Sequence, residues 1–171
     1  MISGRGVAGR ILAAALASSV CLADALADGS RAARERVIAD VAYGALIALE
    51  PADREAESKG DDRAADRIAS ATQGLLLLFE DLNSEPAMRK LIALIHFDLG
   101  THASETFDCI AIRKRPAIRS IIEEELRNPT DPCTPEFGTG SPICLSPEQT
   151  SSRLRSLLHM IDNKEECAPP R

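Results

Sequence analysis

Apolar residues in this chain recur at every third or fourth position and almost nowhere at every second, a spacing that calls for helices rather than strands. No stretch alternates apolar and polar residues for long, and β-branched residues do not cluster. Arg31 to Glu50 places Ile38, Val41, Ala45, Leu46 and Leu49 on one face, and Pro51 is expected to end that helix. The charged run 51–62, with Gly60 inside it, reads as a solvated connection with room for a short helix of its own. Asp62 is the expected cap of a second helix carrying Ile68, Thr72, Leu75, Leu76, Phe79 and Leu82. Because Leu75-Leu76-Leu77-Leu78-Phe79 is apolar all round, this helix is expected to be central.

Ser84, with Glu85 and Pro86 in the first turn, predicts a third helix with Met88, Leu91, Ile92, Ile95 and Leu99 inward and Gly100 as its terminator. Thr101 is the expected cap of a fourth, bearing Ala103, Phe107, Ile110 and Ala111. Pro116 opens a fifth, with Ile118, Ile121, Ile122 and Leu126, which Asn128-Pro129 ends. Residues 128–147 hold five prolines and are assigned no regular structure. Ser146-Pro147-Glu148-Gln149 is a capping box that launches a last helix with Leu154, Leu157, Leu158 and Ile161, closed at Asn163. The expected fold is all-α: a compact bundle of about six helices with an irregular loop near the C-terminus. A short α-hairpin solenoid is the alternative packing.

The amino terminus speaks to location. Two arginines and no acid precede the uncharged run Ile11–Ala23, and Ala25-Leu26-Ala27 supplies small residues before Asp28. These are the three regions of an export leader. The apolar run is too short to span a bilayer, and Val20 before Cys21 speaks against a lipoprotein. The expected division is a cleaved leader over 1–27 and one helical domain over 28–171 with a loose tail from Ala168, in the periplasm or secreted. Removing Arg5, Arg10 and Asp24 takes the formal charge from −6 to −7. So acidic a chain is repelled by nucleic acid and anionic lipid, and neither partner is expected. Arg113-Lys114-Arg115 reads as a solvated helix junction. Aromatics are 3% of the chain, with no tryptophan, which argues against stacking platforms for sugars or bases.

Cleavage leaves Cys109, Cys133, Cys144 and Cys167, an even set that an oxidising compartment would pair. Close C-x-x-C pairs for zinc or redox work are absent from the sequence. Cys144 and Cys167 flank the last helix, roughly 24 Å long at 1.5 Å per residue, whereas bonded cysteines stand about 4.4–6.8 Å apart at Cα. That disfavours Cys144–Cys167 and leaves two pairings. The preferred one is Cys133–Cys144, closing the proline-rich loop, with Cys109–Cys167, pinning the tail to a core helix. The alternative is Cys109–Cys144 with Cys133–Cys167.

His96, Asp98, His102 and Glu105 gather near Gly100 and are possible metal ligands, but their spacing matches no standard motif. Polar residues at a turn need no metal, and no metal or cofactor is expected. No serine lies in a nucleophile elbow. Tyr43-Gly44 reads as a close helix approach, and Glu123-Glu124-Glu125 and Glu165-Glu166 as solvated faces. Gly138-Thr139-Gly140-Ser141 follows no strand and reads as a loop tip. The functional expectation is a non-enzymatic exported helical module that binds another extracytoplasmic protein, as an inhibitor, immunity-type blocker or envelope assembly factor. The alternatives are a metal-dependent enzyme or metal carrier using His96, His102 and Glu105, and a carrier of a small apolar ligand.

Overall fold

Ser30 opens the first helix by accepting the backbone N–H of Ala33, one of the donors that a helix start leaves without a partner. The computed structural model describes residues 30–99, 101–130, 144–163 and 166–167, with backbone alone at Thr101 and His102. Among the described residues are six α-helices: α1 (Arg31–Ser58), α2 (Asp62–Leu77), α3 (Glu85–Ala93), α4 (Thr101–Arg113), α5 (Arg115–Arg127) and α6 (Pro147–Asp162). Single 3-10 turns, Leu78–Glu80 and Leu94–His96, follow α2 and α3. The one extended contact among the described residues is an antiparallel bridge between Phe97 and Cys144. Residues 1–29, which include the expected leader, and residues 100, 131–143, 164–165 and 168–171 lie outside the described residues.

Pro51 does not end α1, which runs on to Ser58. Proline removes one donor from the helical ladder, but its fixed φ is compatible with a helix. Ion pairs Glu50–Arg54 and Glu55–Lys59 brace the turns around and beyond it, and Ala56 is buried. The reversal comes at Gly60, whose φ of +64° suits a residue without Cβ. Asp61, one residue before the expected Asp62, then caps α2 by accepting the N–H of Ala64 at 3.1 Å.

The inward face of α1 also differs from the expected one. Glu35, Ala39, Ala42 and Leu46 are buried, while Ile38 and Val41 are each 43% exposed. Two alanines on the inner stripe let α2 and α3 approach closely, which turns the larger Ile38 and Val41 outward. Gly44 has open space where a Cβ would stand, so it admits no neighbouring helix. Tyr43 instead packs edge-on to Phe97 with ring centroids 6.1 Å apart, and Lys90 Nζ sits over its face. Burial pushes the Tyr43 hydroxyl up to about 12. Lys90 also pairs with Asp40 at 3.0 Å, so this cluster joins α1 to α3.

α2 is not the central helix. Leu78, just past its end, is exposed, and Leu76 is its one fully buried residue. The centre is α3 and the segment after it, where Ala87, Met88, Leu91, Ile92, Leu94, Ile95 and Phe97 are all buried. α1 packs on α2 and α3, α2 on α4, α3 on α5, and α4 on α6, so odd and even helices form two layers. α5 also packs on α6, and the whole closes around one hydrophobic cluster drawn from all six helices. The packing is the expected compact helical one rather than the alternative hairpin solenoid.

Ser84 stands at the start of α3 but makes no side-chain cap bond. The cap arrives from α1: buried Glu35 accepts the backbone N–H groups of Asn83 at 2.7 Å and Ser84 at 2.6 Å. Arg31 holds the same carboxylate at 2.7 Å. At the other end of the chain, Cys109 of α4 is disulfide-bonded to Cys167, with Cα atoms 5.4 Å apart. Cys144 is disulfide-bonded as well. Cys133, the partner expected for it, lies outside the described residues.

Candidate functional site

Three pieces of chain converge where α3 gives way to the turn Leu94–His96. The extended Phe97 faces Cys144, and the N–H of Leu145 donates to the carbonyl of His96 at 2.8 Å. The returning chain is thereby fixed just before α6, which begins with the expected capping box. Ser146 Oγ accepts from Gln149 N, and Gln149 Oε1 accepts from Ser146 N. On the facing side α5 ends at Asn128, and Pro129 turns the chain so that Thr130 folds back onto Glu125.

Glu125 ties these pieces together. Its Oε1 accepts from Thr130 N at 2.6 Å and Thr130 Oγ1 at 2.7 Å, and lies 3.2 Å from His96 Nε2. A carboxylate oxygen only accepts, so this contact places the proton on Nε2. His96 is 5% exposed. Arg153 of α6 braces the far side, donating to Phe97 O at 3.2 Å and to Ser104 Oγ at 3.0 Å. Beside Arg153, Asp108 has its carboxyl pushed up by burial; the Arg153 charge opposes that shift and Glu105 adds to it.

Between α5, α6 and the turn lies a cavity of about 310 Å³. Glu125, Pro129 and Thr130 line one wall, and Pro147, Thr150, Ser151 and Leu154 the other. His96 and Leu145 complete it. Thr150 is 4% exposed, and its Oγ1 has no hydrogen-bond partner among the described residues. The wall mixes polar groups with leucine and proline, unlike the Ile, Leu and Phe lining expected for an apolar-ligand carrier.

Of the three candidate metal ligands, His96 is buried against Glu125 of α5, Glu105 is exposed on α4, and the side chain of His102 lies outside the described residues. Among the described residues no three His, Cys, Asp or Glu side chains converge on a metal position. The acidic run 123–125 is not one solvated face: the Glu125 side chain is 14% exposed, against 44% for Glu123 and 49% for Glu124. The sequence does carry a signal for this, since Glu125 follows Ile121 by four positions and Ile122 by three, on the inward stripe of α5. Thr150 carries the same signal, four positions before Leu154 on the inward stripe of α6, whereas Thr130 and Ser151 carry none, because only the tertiary fold brings them to the cavity. At the α4–α5 junction, Arg113 pairs with Glu80 and Lys114 donates to Asn83 Oδ1 at 2.8 Å, while Arg115 is exposed.

No protein-family model, curated protein or solved structure matches this chain. Among the described residues no helix is long and apolar enough to cross a membrane.

Proposed function

We propose that the protein is exported and acts as a non-enzymatic module that binds another extracytoplasmic protein, in an inhibitory, immunity-type or assembly role. The contact element in this reading is the connection 131–143 between α5 and α6. The observation that supports it is the fixing of both ends of that connection. Thr130 is held at its start by two hydrogen bonds to Glu125. Cys144 and Leu145 are held at its finish by Phe97 and His96. Anchored ends reduce the chain entropy that a loop loses when it is ordered against a partner.

Replacing residues 134–143 with a Gly/Ser linker tests this. Native and replaced proteins would be used in parallel to capture proteins from the envelope of the source cell, with far-UV circular dichroism as the folding control. The expected result is a protein retained by the native chain and lost from the variant at unchanged helicity. The same set of proteins retained by both would reject the connection as the contact.

A further inference from the structure

We propose that the cavity between α5, α6 and the turn Leu94–His96 is a binding site for a primary ammonium group carried on a short apolar stem. This site is separate from the loop contact and stands or falls without it.

The charge comes from Glu125. Its Oε1 already takes Thr130 N, Thr130 Oγ1 and His96 Nε2, whereas Oε2 has no partner among the described residues. A carboxylate whose side chain is 14% exposed and which keeps one oxygen without a protein donor favours a ligand that brings donors and positive charge. The second observation is independent. Thr150 Oγ1, on the opposite wall, is buried with no partner among the described residues. An ammonium carries three donors, so it can satisfy a carboxylate oxygen and a hydroxyl together.

An anionic ligand does not fit, although α6 begins at this wall. The donors of that helix start are already used or missing. Pro147 has no N–H, and Gln149 N donates to Ser146 Oγ at 3.2 Å. Thr150 N donates to Ser146 O at 2.9 Å. Glu148 turns its own carboxylate onto its backbone N–H, which holds its carboxyl below the usual range. No backbone N–H of that first turn remains to receive a phosphate or carboxylate in the way helix N-termini commonly do, and the Glu125 carboxylate across the cavity repels an anion. Leu145, Leu154 and Pro147 supply the apolar wall for the stem. The volume sits at the small end of the range of about 300–1,000 Å³ seen for small-molecule sites, which suits a few-carbon stem.

The test is a titration of the full disulfide-bonded protein with n-butylammonium chloride at constant ionic strength, read by amide NMR shifts at Thr130, Thr150 and Ser151. n-Butanol and sodium butyrate are the neutral and anionic controls. The expected result is saturable shifts with butylammonium alone. Glu125→Gln should weaken binding by about tenfold, the loss of one charge-assisted hydrogen bond. Thr150→Val keeps the side-chain shape, and should weaken binding by about threefold or more while leaving the melting temperature unchanged or higher. If the Gln variant does not fold, the Val variant decides alone. Absent saturation, an equal response to butanol or butyrate, or unchanged affinity in the decisive variant would each overturn the proposal.

Discussion

Replacing both Cys109 and Cys167 by serine is expected to destabilise the protein by about 4 kcal/mol, the chain-entropy value for a closed loop of this size. The bridge joins residues 58 positions apart and encloses α5 and all of α6. Without it, α6 is held by the packing of Leu154, Leu157 and Ile161 and by Arg153 on Phe97 and Ser104. Sixteen residues, 131–146, separate its start from Thr130, so the unbridged chain gains a large denatured ensemble. For a domain of this length the loss corresponds to a fall in melting temperature of roughly 10 °C. Thermal unfolding of the oxidised protein and the double variant, at equal concentration and neutral pH, measures it. A shift below about 2 °C would mean that side-chain packing alone fixes α6.

Glu35→Ala is expected to destabilise by about 3 kcal/mol, because it strips the acceptor from two backbone N–H groups at the start of α3. Glu35 is only 6% exposed, so water cannot readily replace the carboxylate. Burial by itself would push the Glu35 carboxyl up. The Asn83 N–H, Arg31 and the Ser84 N–H outweigh it and bring the value down to about 2, from 4.5 for the ordinary side chain. Since the folded-state value lies below the unfolded one, the stabilisation is fully present above about pH 4.5. It is lost as pH falls toward 2. Denaturant titrations at several pH values should therefore show native stability falling over that window, with Glu35→Gln showing a shallower fall. Equal slopes in the two proteins would remove Glu35 as the source.

The parts of the fold legible in the sequence are those decided within one helix. The stripe Ala103, Phe107, Ile110 and Ala111 is buried as its spacing requires, and so are Ile118, Ile121 and Ile122 of α5. The Ser146–Gln149 capping box forms because both of its bonds are local. Two of the differences come from distant chain. Ser84 has the right residue type for a cap, yet the acceptor comes from Glu35, 49 residues earlier. On α1, hydrophobic size points to Ile38 and Val41 as the inner face, whereas close helix packing selects Ala39 and Ala42. Pro51 was overridden by good helix formers on both sides. At the candidate site His96 was visible as a titratable residue near a turn. Its partner Glu125 was hidden inside a run of three acids, two of which are solvated.

Location, sulfur chemistry and binding role all rest on export. The most direct measurement is the intact mass of the protein recovered from its native cells, taken under denaturing but non-reducing conditions. The account predicts a chain beginning at Asp28 and lighter by the hydrogens of two disulfides. A mass that begins at Met1 with every thiol free would contradict it.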